Sequence, residues 1–244
     1  MNTISQRLLR GGVIAVLGRS ATAAGVVLVH ALLARLLSPE ETGLFMLALS
    51  IVTIAAVIAD FGFGKTLLRT IPDAIANGDE ARALSHIRLV FFAAMLTILV
   101  TALVLVSPFG TWIAEQLSHG TLLGELMPLV ALWLIVTVVI SLLAEACRGF
   151  HFIAEAIFFG GALTGLGNIL IVSIALGIAW FSSTELSLKQ VISLFILAGL
   201  FLAVLAILKL LKRLRAQRVK GDSSISRLFI MAWPFWVSSM ALIL

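Results

Sequence analysis

Six long apolar runs divide the chain, and each is bounded by charged residues, proline or glycine. They cover residues 12–37, 43–67, 86–107, 122–145, 157–181 and 188–210. About 20 apolar residues form a helix that crosses a bilayer, whereas a barrel strand shows about ten residues of alternating polarity. A seventh run, Leu228 to Leu244, stops at the last residue of the sequence. The pattern predicts an all-α polytopic transmembrane helical bundle with six complete spans and the start of a seventh.

The composition excludes soluble and disordered proteins. Hydrophobic residues make up 61% of the chain and charged residues 12%, whereas a soluble domain carries about 25% charged residues. Because Cys147 is the only cysteine, neither an intramolecular disulfide nor a thiolate metal cluster is expected, and we predict no metal and no cofactor. Arg7 and Arg10 precede the first run as they would in a signal peptide, but Arg19 interrupts that run and the apolar stretch continues. An uncleaved first helix is therefore predicted.

Basic residues are distributed very unevenly between the two sides of the predicted membrane. Apart from Arg19, which lies within a predicted helix, nearly all of the 17 Lys and Arg residues share the side of the N-terminus, and Arg35 and Lys189 fall on the other side. Because basic loops face the cytoplasm, the N-terminus is predicted to be cytoplasmic. We predict a six-helix lobe over residues 1–208, a basic cytoplasmic linker over 209–226 and the start of the seventh helix over 227–244. The linker could also be a nucleic-acid patch, but juxtamembrane basic residues suffice to explain it.

Three tryptophans have different predicted positions. Trp112 and Trp180 lie at the outer ends of the third and fifth predicted helices, where an indole anchors a helix in the headgroup layer. Trp133 lies near the middle of the fourth helix, where it is either a packed or lipid-facing side chain or a platform for substrate.

Five polar residues lie within the apolar runs, where exposure to lipid is costly. They are Arg19, His30, Asp60, Glu145 and Asn168. Such residues face the interior of a bundle or a water-filled path, so they are the candidate functional residues. The sequence has no glycine-rich phosphate loop with its lysine, no His-Glu-x-x-His zinc pattern and no Gly-x-Ser-x-Gly elbow.

Arg19 and Asp60 are predicted to lie at the same depth on two antiparallel helices. One interpretation is a structural ion pair, which would lower the cost of burying both charges. The other is that Arg19 faces a cavity as an anion receptor, with Asp60 as its modulator or as a proton site. Glu145 and Arg148 are one turn apart, and a solvated surface pair is the prediction for them.

His30 and Asn168 each allow two interpretations. His30 either binds a proton or a sugar hydroxyl or is a buried histidine that a neighbour satisfies. Asn168 is either an interhelical hydrogen-bonding residue or a polar contact in a lumen. Near it, Gly161-x-x-x-Gly165 predicts a small-residue face that permits close helix packing.

Two stretches resemble a known family. The first is LARLLSPEETGLF over residues 33–45, and the second is ADFGFGKTLLR over residues 59–69. Together, with six helices and a cytoplasmic N-terminus, they resemble the N-terminal half of polysaccharide transporters of the O-antigen flippase (Wzx-like) type. These transporters belong to the multidrug/oligosaccharidyl-lipid/polysaccharide exporter superfamily.

The resemblance implies a fold like that of multidrug and toxin extruders, in which two six-helix lobes face each other across a central lumen. It implies that alternating access moves a polyprenyl-diphosphate-linked oligosaccharide outward across the cytoplasmic (inner) membrane of a bacterium or archaeon. The implied partners are membrane lipid, the second lobe and a proton or sodium gradient. No nucleic acid is expected. This sequence would supply one lobe and the start of the seventh helix. By the same resemblance, Arg19 would attract the diphosphate, and Asp60 would take part in ion coupling.

Three other functions remain open. A drug or small-molecule exporter of the same superfamily would move free solute. An integral-membrane polyprenyl-phosphate transferase would need acidic or histidine side chains at a membrane face, and the predicted outer loops offer Glu40, Glu41, Glu115, His119, Glu125 and Glu185. A scaffold would bind biosynthetic partners through the basic linker. We predict a transporter rather than an enzyme.

Overall fold

The protein is a bundle of α-helices. The computed structural model describes residues 2–78, 80–118, 120–160, 165–183 and 185–214, and this part of the chain contains helices and no β-strand. The helices are α1 (Asn2–Leu36), α2 (Pro39–Asp60), α3 (Phe63–Ala76), α4 (Glu80–Val106), α5 (Pro108–Ser118), α6 (Leu122–Gly149), α7 (Ile153–Phe159), α8 (Leu166–Phe181) and α9 (Leu188–Leu214). The predicted all-α class is confirmed.

Several helices are suited to a membrane. Among the described residues, α1, α2, α4, α6 and α9 each contain a stretch long and apolar enough to cross a bilayer, and α8 is apolar but shorter. Large apolar side chains are exposed on α4, α8 and α9, including Phe92, Leu99, Leu103, Ile174, Ile178, Leu197 and Phe201. An exterior with so many exposed apolar side chains fits lipid rather than water. The chain is therefore a multi-pass membrane protein.

Helix α6 is at the centre of the bundle. It packs against α2, α3, α4, α5, α7 and α9. Trp133 in its first half is completely buried, and its ring centroid lies 5.7 Å from that of Phe45 on α2 and 5.4 Å from that of Phe195 on α9. These three rings join the three helices in one apolar core. Trp133 is thus a packed indole in this conformation.

Helix α1 packs at one side of the bundle, against α7 and α8, and contacts α2 much less. Two glycines permit this close packing. A Cβ on Gly18 would lie 2.8 Å from Cγ2 of Ile157, and a Cβ on Gly25 would clash with Cγ2 of Ile169. Close packing therefore occurs where Gly18 and Gly25 of α1 face α7 and α8. Gly161, the first glycine of the predicted small-residue face, lies outside the described residues.

The bundle has two distinguishable ends. At one end Arg35 of α1 lies over the Trp180 ring, 5.4 Å from its centroid, and Glu41 contacts the first turn of α9. At the other end α2 and α6 finish side by side, and Lys209 pairs with Glu155 at 3.6 Å. We call this second end the basic end, because it carries Lys65, Arg69, Arg88, Arg148 and Lys209. We call the first end the opposite end.

The second predicted span, 43–67, was wrong at both boundaries. Helix α2 begins at Pro39, because Ser38 caps it: the Ser38 hydroxyl accepts from the Glu41 backbone N–H, and the Glu41 carboxylate accepts from the Ser38 N–H, both at 3.2 Å. The helix ends at Asp60 because Phe61 and Gly62 are left-handed, with φ of 46° and 79°. A separate helix, α3, follows and continues to Ala76, into the predicted connection.

The fifth predicted span, 157–181, is not one helix in the described residues. Helix α7 ends at Phe159 and α8 begins at Leu166, and residues 161–164 between them are not described. The sequence from Gly160 to Gly165 contains three glycines, which weaken a helix interior. Helix α9 ends at Leu214, and residues 215–226 of the predicted linker and the predicted seventh helix lie outside the described residues.

Candidate functional site

The sequence Asp60-Phe61-Gly62-Phe63-Gly64 forms the junction between α2 and α3, which we call the α2–α3 junction. Gly62 is the N-cap of α3 and has no side chain with which to cap it. Asp60, the last residue of α2, performs this role: its Oδ1 accepts a hydrogen bond from the Gly64 N–H at 3.2 Å. A carboxylate at a helix N-terminus satisfies an orphan N–H and opposes the positive end of the helix dipole. The polar residue that ends one helix therefore begins the next.

The α2–α3 junction is enclosed by α6 and α4. A Cβ on Gly64 would lie 3.3 Å from Asp60 Oδ1 and 3.2 Å from Glu145 Cγ, so both acidic side chains border the Gly64 backbone. From α4, the Thr97 hydroxyl donates to the Ala59 carbonyl at 2.6 Å. These hydrogen bonds satisfy the Ala59 carbonyl and the Gly64 N–H, which would be costly to bury without a partner.

Glu145 has two different oxygen environments. Oε1 accepts a hydrogen bond from Arg148, so the two residues pair as predicted. The pair is not a solvated surface pair, because the Arg148 side chain is 45% exposed but that of Glu145 only 20%. Oε2 is buried and has no hydrogen-bond partner among the described residues. The sequence pattern made Glu145 a candidate functional residue and a partner of Arg148, but it did not predict that Glu145 lies beside Asp60. Its position beside Asp60 depends on how α3 crosses the end of α6, for which the sequence contains no local signal.

Arg19 lies about one turn inside the apolar stretch Val16–Leu36 of α1 and is exposed. The structure does not bring it to Asp60, because α1 packs against α7 and α8 whereas Asp60 borders α3 and α6. Within the described part of the chain, Arg19 forms no ion pair. In this conformation Arg19 therefore forms no structural ion pair with Asp60.

His30 lies on the same side of α1 as Arg19. They are eleven positions apart, which in an α-helix is about 16 Å along the axis and about 20° around it. The Nδ1 of the half-buried His30 ring lies 2.7 Å from the Val26 carbonyl oxygen. Because a carbonyl oxygen can only accept, this contact places a proton on Nδ1, and in the neutral imidazole Nε2 is then an acceptor. We call the side of α1 that carries Arg19 and His30 the α1 polar face.

Asn168 lies in the first turn of α8 and is completely buried. Its neighbour Ile169 packs against Gly25 of α1. Asn168 therefore presents no accessible surface in this conformation, and it does not join the α1 polar face.

The acidic residues considered for a transferase do not converge in the described structure. The Glu41 carboxylate caps its own helix and, through Oε1, accepts from the Leu188 N–H at the start of α9 at 3.3 Å. Glu115 lies beside Gly124, Glu125 and Glu185 are exposed, and His119 is outside the described residues. The described residues contain no group of three or more His, Cys, Asp or Glu side chains that could hold a metal ion.

A family model described as polysaccharide biosynthesis protein matches residues 8–244. The chain belongs to this family. It is the family of the Wzx-like polysaccharide and O-antigen flippases, so the resemblance of the ADFGFG and LARLLSPEETGLF stretches is confirmed. Members of the polysaccharide biosynthesis family are transporters rather than enzymes. No curated protein and no solved structure matches the sequence.

Proposed function

We propose that this chain moves a polyprenyl-diphosphate-linked oligosaccharide outward across the cytoplasmic membrane of a bacterial or archaeal cell. The observation that carries the proposal is the exposed guanidinium of Arg19, one turn inside a membrane-spanning helix of a member of the polysaccharide biosynthesis family. A charged side chain at this depth needs a carboxylate, water or a phosphate as its partner. The cargo of this proposal supplies two phosphates.

The depth of Arg19 suits the loading of such a cargo. The polyprenyl tail of a lipid-linked sugar lies among the acyl chains, so its diphosphate lies at the headgroup level of the leaflet. Arg19 lies near the basic end of the bundle, and positive charge at this end favours the cytoplasmic side. A guanidinium offers a planar fork of donors, which can bind two phosphate oxygens at once. Arg19 would therefore receive the diphosphate from the cytoplasmic leaflet.

His30 would contact the cargo farther along the α1 polar face. Its Nε2 is an acceptor when Nδ1 donates to Val26, and sugar hydroxyls are donors. A diphosphate at Arg19 and a sugar near His30 would orient the cargo along α1, with the glycan toward the opposite end. Asn168 would reach this cargo only in a conformation in which α8 has moved away from α1.

Alternating access would require the α1 polar face to open to each side in turn, with a second lobe of the same protein closing over it. Asp60 is the candidate for coupling this motion to a proton or sodium gradient, because its carboxylate connects α2 to α3 and lies beside Glu145. A change in its charge would act directly on the contact between the two helices.

Complementation of a flippase-deficient strain tests the proposal, with surface glycan as the readout and the complete reading frame as the gene. Arg19→Ala should abolish export at normal expression, Arg19→Lys should retain part of it, and the Arg19→Ala/Asp60→Ala double variant should not restore it. Arg35→Ala, on the same helix at the opposite end, is the control and should export normally. Normal export by the double variant would exclude the anion-receptor role.

The orientation has its own test, in a Cys147→Ser background. A cysteine replacing exposed Asp73 of α3 should be labelled only from the cytoplasmic side, and one replacing exposed Glu115 of α5 only from outside. The reverse pattern in intact cells would overturn the proposed topology and with it the loading of cargo at Arg19 from the cytoplasmic leaflet.

A further inference from the structure

Helix α3 has one buried and one basic side. Phe63, Leu67 and Ile71 are completely buried against α4 and α6. On the other side lie Lys65 and Arg69, which are one helical turn apart; Lys65 is half-buried, and its charge also interacts with that of Asp60. Arg69 is exposed and forms no ion pair in the described part of the chain, including with Asp73 one turn farther on. We call Lys65 and Arg69 the α3 basic face.

The position of α3 places this face near a membrane surface. Its 14 residues are too few to span a bilayer, and it begins three residues after the apolar stretch of α2 ends. It lies at the basic end, where Arg88 of α4 is also exposed. Half-buried Leu68 and Ile75 flank the basic face on the side away from Asp73. An amphipathic helix with apolar flanks and a basic polar side is suited to the headgroup layer.

We propose that the α3 basic face binds the phosphate groups of anionic membrane lipids. The charges are complementary, and the Arg69 guanidinium can bind two oxygens of one phosphate. A basic side chain near an anionic surface contributes about 1 kcal/mol, which is about fivefold in lipid affinity. The lipid would hold α3 against the membrane surface, and through the Asp60 cap it would restrain the α2–α3 junction. This inference does not depend on the cargo proposed above.

The test uses the full-length protein in nanodiscs and records its thermal unfolding midpoint. Discs of phosphatidylcholine alone are compared with discs that contain an increasing fraction of phosphatidylglycerol. For the wild type, phosphatidylglycerol should raise the midpoint by several degrees. For Arg69→Gln, the fraction needed for half of this rise should increase about fivefold, and for Lys65→Gln/Arg69→Gln the rise should be nearly absent over the whole range of fractions. Arg69→Lys should retain most of the response.

Lys189→Gln is the matched control, because Lys189 is exposed at the opposite end; its response should equal that of the wild type. If the double variant fails to fold in neutral discs, the single variant Arg69→Gln gives the same comparison at an exposed site. An unchanged phosphatidylglycerol response in these variants would overturn the proposal. The proposal would also be overturned if undecaprenyl diphosphate, added to neutral discs, stabilised the wild type but not Arg69→Gln. The α3 basic face would then bind the cargo rather than membrane lipid.

Discussion

Asp60 Oδ1 accepts a hydrogen bond from the Gly64 N–H at 3.2 Å, so the side chain that ends α2 caps the start of α3. The two left-handed residues between the helices make this possible, since they end α2 and let α3 begin in a new direction within two positions. The ADFGFG stretch therefore encodes a specific turn rather than the interior of a span. Any movement of α3 relative to α2 must break or rebuild this contact.

The space at Gly64 gives the first prediction. A Cβ there would lie 3.2 Å from Glu145 Cγ and 3.3 Å from Asp60 Oδ1, so Gly64→Ala should push both carboxylates away and weaken the cap. Overpacking of this kind typically costs about 1–3 kcal/mol, and the higher helix propensity of alanine returns only part of it. We expect a lower unfolding midpoint in detergent.

Gly43→Ala is the control for Gly64→Ala. Gly43 is also helical, but it is exposed and no atom lies within 4 Å of the position of its Cβ. It should raise the free energy of unfolding by up to about 1 kcal/mol. Equal effects of the two substitutions would contradict the packing described for the α2–α3 junction.

Glu41 gives the second prediction, because one carboxylate caps two helices. It accepts from the Ser38 N–H at the start of α2 and from the Leu188 N–H at the start of α9. Glu41→Ala should cost about 0.5–2 kcal/mol, the usual range for a lost cap, and Glu41→Gln should cost less because its amide oxygen still accepts. Glu40→Ala, at the exposed neighbouring position, should have little effect. If Glu41→Gln instead abolished glycan export at normal stability, a chemical role would have to replace the structural one.

The sequence predicted the spans well where a long apolar run coincides with one helix. The runs 122–145 and 188–210 correspond to α6 and α9, because neither contains a residue pair that turns the chain. The start of α2 was also legible, since Ser38, Pro39 and Glu41 form a capping box with proline at the first helical position. It was missed because the charged residues were taken as a loop.

The breaks within runs could not be predicted from hydropathy. Phe61 and Phe63 are apolar, so the run appears continuous through the α2–α3 junction, and only Gly62 and Gly64 signal a turn there. The sequence also did not predict which residues lie next to the polar residues. Arg19 and Asp60 have similar predicted depths, but depth does not say that α1 packs on α7 and α8 while Asp60 borders α6.

Trp133 gives the third prediction. It is fully buried between Phe45 and Phe195, and its Nε1 has no hydrogen-bond partner among the described residues. Trp133→Phe should therefore change stability by only about 1 kcal/mol, because the lost volume is offset by removal of an unsatisfied donor. Trp133→Ala should cost about 3–5 kcal/mol.

The control for Trp133 is Trp112→Ala, at an exposed position of α5, which should be far less destabilising than Trp133→Ala. Glycan export by Trp133→Phe, normalised to the amount of folded protein, should equal that of the wild type. A specific loss of export at normal stability would show that the indole acts on substrate instead of packing.

Asp60 gives the fourth prediction, which separates its capping role from the proposed coupling role. Asp60→Asn keeps an oxygen that can accept from Gly64, and asparagine is about as good a cap as aspartate, so it should lose only the charge–dipole contribution of about 0.3–1 kcal/mol. Asp60→Ala removes the acceptor and should cost more, within about 0.5–2 kcal/mol.

If Asp60 also couples transport to an ion gradient, Asp60→Asn should fold and yet lose export, because its charge can no longer change. Asp73→Asn is the control, because Asp73 is exposed on α3; it should leave both stability and export unchanged. Normal export by Asp60→Asn, with reduced export by Asp60→Ala in proportion to its lower stability, would leave Asp60 as a cap alone and would move the search for the coupling group to Glu145.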